Sequence, residues 1–258
     1  MHRMPLTALA VLTLLVPAPG LAQQAVQIPA RDRVLQGEPQ TLFAIGALEG
    51  AEWETFSDVA QVAFDARDNL YVLDRGNHRV LVFDAQGKFV RQLGKQGSGP
   101  GEFGSPNGIG IEPDGRVIVA DIAHRNYTIF GPDGEFERGV GIVRVTNEGG
   151  RSSTSVGGRL PDEQIRQNLA NMEFAETVPV IFGLQTDPLG RIWVHRTAEK
   201  EFGPGPIDLV AADGRYIGTL QDQVMPDAVS RSGRAAYIER DEFDVEKVVV
   251  KMLPAGWR

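Results

Sequence analysis

The stretch Leu70-Tyr71-Val72-Leu73-Asp74-Arg75-Gly76-Asn77-His78-Arg79-Val80-Leu81-Val82-Phe83-Asp84 sets two short runs rich in Val, Leu, Tyr and Phe on either side of a polar loop. Runs of this composition, bounded by Gly, Asn and Asp, read as strands joined by a tight connection. Outward from it, Asp65-Ala66-Arg67-Asp68-Asn69 is a turn before the first run and Ala85-Gln86-Gly87 a turn after the second. Glycine suits the second turn because it accepts a positive φ that other residues resist. The unit is therefore strand, turn, strand, loop, strand, turn, strand. Its strands are predicted at Gln61 to Asp65, Leu70 to Asp74, Arg79 to Asp84 and Phe89 to Leu93.

The unit recurs along the chain. Glu112-Pro113-Asp114-Gly115-Arg116-Val117-Ile118-Val119-Ala120-Asp121 repeats its first turn and second strand, as does Asp187-Pro188-Leu189-Gly190-Arg191-Ile192-Trp193-Val194, and more faintly Arg231-Ser232-Gly233-Arg234-Ala235-Ala236-Tyr237-Ile238. The second turn returns at Gly131-Pro132-Asp133-Gly134 and at Ala211-Ala212-Asp213-Gly214. With Asn69, Gly115, Gly190 and Gly233 as origins, two of the three steps match the ~45 residues of a four-stranded blade. No alternation of strand and helix patterns is visible, which argues against a doubly wound sheet.

The run from Leu70 to Asp84, with its Asn77-His78 pair after a strand ending in aspartate, resembles the NHL repeat. Gly97-Ser98-Gly99-Pro100-Gly101-Glu102-Phe103, with Pro106 beyond, is similar to the glycine-rich link between NHL blades. The chain as a whole resembles exported bacterial six-bladed propeller proteins of that group. This resemblance implies an all-β fold, a β-propeller of NHL-like four-stranded antiparallel blades, four to five of which are recognisable. The blades are expected at about 59–94, 107–140, 181–220 and 226–253 within a domain spanning 40–254, after a linker at 23–39. Residues 141–180 read as an irregular insertion or a degenerate blade, with a short helix near 161–172 where Ile165, Leu169 and Met172 share a face behind Pro161. Six blades would need ~270 residues, more than the chain offers. A shortened ring of four or five blades and a gapped ring that needs a partner both stay open. A propeller must hide the edges of its end blades. Because Thr41-Leu42-Phe43-Ala44-Ile45-Gly46 resembles Phe89-Val90-Arg91-Gln92-Leu93-Gly94, residues 41–46 are expected to supply the outer strand that the last unit lacks.

Composition narrows the partners. The chain has 258 residues, 42% apolar and 23% charged, with a net charge of -8 and its 26 basic residues scattered. Nucleic-acid binding needs a concentrated basic surface, so none is expected. His2 and Arg3, the apolar run Leu6 to Val16 and the small residues up to Ala22 form the pattern of a cleavable signal peptide over residues 1–22. The apolar run is too short to span a bilayer, so the mature form is expected to carry no membrane span and to be secreted or periplasmic. With no cysteine, the chain has neither a lipid-attachment site nor disulfides, and its stability must come from a sizeable core.

The polar residues of the repeat loops are the candidate ligand-binding groups: Asn77, His78, Arg79, His124, Arg125, His195 and Arg196. Asp74 ends one strand and Arg79 begins the next, so a charge-assisted bond across the loop is available, and a structural role for this pair competes with a functional one. The second unit keeps Asp121 but has Asn126 in place of Arg79, with His124 and Arg125 beside it. His78, His124 and His195 fall at comparable places in three units, at or near the loop between second and third strands, and are the metal candidates. Asp65, Glu112 and Asp187 precede turns, where acids cap backbone amides. The link Gly94 to Gly101 lacks the Gly-Lys-Ser/Thr ending of a phosphate loop, no Gly-x-Ser-x-Gly elbow is present, and cysteine nucleophiles are excluded. No catalytic residue is assigned and no cofactor is specified. The leading expectation is a non-catalytic binding scaffold for a protein, peptide or glycan. The alternatives are a lactonase- or lyase-like enzyme with a divalent metal in the central channel, and a shortened paralogue that needs a partner.

Overall fold

The computed structural model describes residues 31–142, 180–198 and 203–257. Within them the chain is a β-propeller of four-stranded antiparallel sheets, four of which are described. Blade 1 is β2 (Val59–Phe64), β3 (Leu70–Asp74), β4 (Arg79–Phe83) and β5 (Phe89–Leu93). Blade 2 is β6 (Pro106–Ile111), β7 (Val117–Asp121), β8 (Asn126–Phe130) and β9 (Phe136–Gly141). Blade 3 is β10 (Ile181–Thr186), β11 (Ile192–Thr197), β12 (Pro204–Val210) and β13 (Tyr216–Leu220). Blade 4 takes β14 (Ala228–Val229), β15 (Arg234–Arg240) and β16 (Glu246–Met252) from the end of the chain and its outer strand, β1 (Gln40–Ile45), from the beginning. β1 runs antiparallel to β16, with Phe43 opposite Val250 and Ile45 opposite Val248. One sheet thus joins both ends of the described chain and leaves no open strand edge between them.

The alternation of a strand explains why blade 1 reads as an unbroken apolar run. Leu70 and Val72 point toward blade 4, into a core with Ile45, Ala236, Val248 and Val250, while Tyr71 and Leu73 point toward blade 2, into a core with Val117, Val119, Phe103 and Phe130. Successive residues serve opposite faces and both faces are covered. A third core fastens blade 3 to blade 4 through Trp193, Ile207, Leu209, Tyr237, Leu253 and Trp257.

One equivalence is corrected here. The left-handed residue of the first turn in blade 1 is Asp68 (φ 63), one position before Asn69, and it matches Gly115 (φ 91), Gly190 (φ 74) and Gly233 (φ 91). Asn69 instead braces the turn, its Nδ2 donating to Asp65 Oδ2 at 2.7 Å. The described part of the linker at 23–39 packs against blade 3. The Leu35 N–H donates to the Thr219 carbonyl and the Thr219 N–H to the Arg33 carbonyl, both at 2.8 Å, so this strap runs along β13 and shields the outer edge of blade 3. Residues 1–22, the helix expected at 161–172 and the rest of 143–179 lie outside the described residues. Among the described residues no helix is long and apolar enough to cross a membrane.

Candidate binding site

Antiparallel blades sort their connections onto two faces. The turns between first and second strands and between third and fourth strands lie on one face. The loops between second and third strands, with the links from blade to blade, lie on the other. The candidate residues Asn77, His78, Arg79, His124 and Arg125 all belong to the second, the loop face.

Asp74 organises this face in blade 1. Its Oδ1 accepts the N–H groups of Ser57 (3.2 Å) and Asp58 (3.4 Å) from the incoming link, and its Oδ2 accepts Asn77 Nδ2 (2.8 Å) and Arg79 Nε (3.0 Å). Asp74 and Arg79 are both buried, and the guanidinium also donates to the carbonyls of Glu52 and Thr55. A buried ion pair persists when its remaining donors and acceptors are satisfied; here the pair joins β3 to β4, and the other bonds tie the loops to these strands. Asp121 repeats the clamp in blade 2, with the N–H groups of Gly104 (2.6 Å), Ser105 (3.0 Å) and His124 (3.1 Å) and with His124 Nδ1 at 3.1 Å. Burial pushes the Asp121 carboxyl up, but the N–H donors of His124, Gly104 and Ser105 outweigh it and hold the carboxyl below its ordinary value.

These clamps show that the three histidines are not equivalent. His124 takes the place of Asn77, because each reaches back to the aspartate three residues before it. His78 matches Arg125, and both have left-handed backbones (φ 55 and φ 52). His195 lies inside β11 rather than in a loop: counted from the left-handed turn residue it matches Leu73 of β3 and Ala120 of β7, and its ring meets Phe182 edge-on at 5.5 Å. Among the described residues no group of three or more His, Asp or Glu is placed to hold a metal. The acids before turns cap them: Asp65 accepts the N–H groups of Arg67 and Asn69, Asp187 those of Leu189 and Arg191, and Glu112 pairs with Arg116 at 2.6 Å.

In blade 3, counted from its left-handed glycine, Arg196 stands where blades 1 and 2 have Asp74 and Asp121. It pairs with Asp32 of the strap at 2.7 Å and with the buried Asp208 at 3.3 Å, and Asp208 also accepts the Thr219 hydroxyl at 2.5 Å. Burial works against the Arg196 charge, and the two carboxylates overcome it. Beside this network, a cleft of about 420 Å³ opens between the β11–β12 connection and the link from blade 3 to blade 4. His195, Ala198, Pro204 and Pro206 form one wall, and Gln221, Asp222, Gln223 and Val224 the other, with Val224 73% exposed. Sequence reading reached His195 but missed 221–224, which are an unremarkable polar link until folding sets them against β12.

Residues 47–138 match a family model described as a 6-bladed beta-propeller. Over 48 residues the chain is 52% identical to RING finger protein nhl-1 of Caenorhabditis elegans, covering 19% of this chain and 5% of that protein. Over 100 residues it is 30% identical to Protein brain tumor of Drosophila melanogaster, covering 38% of this chain and 9% of that protein. The chain thus spans less than a tenth of the length of these relatives. Among solved structures, virginiamycin B lyase from Staphylococcus aureus aligns over 76% of this chain and 56% of its own, at 11% identity and a TM-score of 0.28. The likeness to NHL-repeat propellers, read first from Leu70 to Asp84, holds.

Proposed function

We propose that the protein is an exported, non-catalytic recognition scaffold that binds a protein, peptide or glycan through its loop face. The observation that carries this reading is the open cleft between Pro204–Pro206 and Gln221–Val224. It sets an exposed valine and two prolines beside amides and one carboxylate, on strands fixed by the core of blades 3 and 4. Concave, partly apolar surfaces on rigid elements are where ligands bind, and exposed apolar side chains grouped there gain free energy when covered. Prolines also present that surface with little conformational freedom left to lose.

The polar residues of the loops support a scaffold over a catalyst. Arg79 is buried with its donors spent on Asp74, Glu52 and Thr55, and Asn77 donates to the same aspartate, so both serve the loop's own structure. The signal pattern of residues 1–22 supports export to the periplasm or beyond the cell. The test is affinity capture from a periplasmic extract with the full chain, run beside Val224→Asp, together with metal analysis of the purified protein. A partner retained by the wild type and lost by Val224→Asp is expected. Stoichiometric metal lost on substitution of His78, His124 or His195, accompanied by turnover of a small substrate and no captured partner, would replace this reading with an enzymatic one.

A further inference from the structure

We infer that the opposite face carries a second site, at the mouth of the propeller axis, for a small organic anion consisting of a carboxylate on an apolar body. The ends of all four described first strands meet at this mouth. Phe64, Asp65 and Ala66 follow along β2, Ile111, Glu112 and Pro113 along β6, Pro188 comes just after β10, and Ser230 and Arg231 just after β14. Together they enclose about 420 Å³, within the range of small-ligand sites. A cavity to which four separate blades contribute is shaped by the whole ring rather than by one loop.

Its chemistry follows from which charges are already used. Asp65 receives the N–H groups of Arg67 and Asn69 and the Asn69 side-chain amide, and Glu112 is paired with Arg116. Arg234, the next cation along the chain from Arg231, is held by Asp68 at 3.5 Å and by the Ala85 carbonyl at 2.5 Å. Arg231 is exposed and has no hydrogen-bond or ion-pair partner among the described residues. The mouth therefore offers one uncommitted guanidinium, a planar donor suited to bidentate contact with a carboxylate. Beside the acids and Ser230, its lining is apolar: Phe64, Ala66, Ile111, Pro113 and Pro188. Pro113 and Pro188 each sit in a turn closed by a hydrogen bond, from Gly115 N–H to the Glu112 carbonyl and from Gly190 N–H to the Asp187 carbonyl, both at 2.9 Å. The cavity is thus formed before a ligand arrives.

The experiment titrates the full chain with 3-phenylpropionate and, separately, with the neutral 3-phenylpropionamide, by calorimetry or ligand-observed NMR. Saturable binding of the acid is expected, with the amide about tenfold weaker, the equivalent of one charge-assisted contact. Arg231→Gln, an exposed substitution that leaves the fold intact, should lower the acid to the level of the amide. Arg67→Gln, whose guanidinium lies outside this cavity, should change nothing. No saturation, equal binding of acid and amide, or an unaltered Arg231→Gln variant would overturn the proposal. Val224→Asp on the loop face should leave the titration unchanged, so failure of the recognition reading and failure of this one are told apart; loss of acid binding in that variant would count against the axial site.

Discussion

Blades 1 and 2 and blade 3 hold the same sheet in place by different means. In the first two, a buried aspartate at the end of the second strand gathers donors from its own loop and from the link just before the blade. In blade 3 that position is Arg196, and the acids that answer it are Asp208 on the neighbouring strand and Asp32 on the strap, 164 residues away. Trp257 completes the arrangement, its Nε1 donating to the Gln36 carbonyl at 3.1 Å and its carbonyl accepting Arg191 Nη1. The contrast separates blades clamped locally from a blade fastened by both termini of the described chain.

Substitutions can break or sharpen this contrast. The largest expected effect is that of Asp74→Ala, which leaves the buried Arg79 guanidinium without its carboxylate; the loss should be about 3–5 kcal/mol, read from the urea midpoint. Trp257→Ala should cost about 3 kcal/mol, because it empties a buried site shared by blades 3 and 4. Hydrogen exchange should then rise first along β13 and the strap, while β3 and β7 stay protected. Asp32→Ala should cost no more than about 1 kcal/mol, since its pair with Arg196 is partly exposed. If Asp32→Ala cost as much as Asp74→Ala, the distinction between the two kinds of blade would fall.

Acid titration sharpens it further. The folded-state pKa of Asp121 lies below its ordinary value of about 3.9. Its contribution is therefore complete above that ordinary value and is lost as pH falls through the folded one. Asp121→Asn should cost about 1–2 kcal/mol near neutral pH and flatten the decline of stability below about pH 4. An unchanged acid limb, measured by urea unfolding across pH 2–7, would show that this carboxyl is not the clamp of blade 2.

The same contrast explains what was legible in the sequence. In blades 1 and 2 the strands and the aspartate clamp are local, so alternating apolar residues and recurring turns reveal them; β3 and β5 have the expected bounds, and β2 and β4 differ at their ends. The left-handed position in blade 1 was obscured because Asp68 occupies it instead of glycine. The equivalence of Asn77 and His124 shows only once both are seen to donate to an aspartate, since an amide and an imidazole share no sequence signature. The strap pairs with β13 through backbone groups, which any residues could supply. The loop-face cleft and the axial mouth are assembled from segments far apart in the chain. Spacing along one blade carries no trace of either.

The recognition reading is tested most directly by photo-crosslinking from single positions. A photoreactive residue is placed at Val224 on the loop face in one full-length variant and at Lys88 in the turn after β4, on the opposite face, in another. Exposure to the native extracellular or periplasmic milieu followed by irradiation should give a discrete adduct from position 224 and none from position 88. Adducts from position 88 alone, or from neither position, would contradict a binding scaffold that works through its loop face.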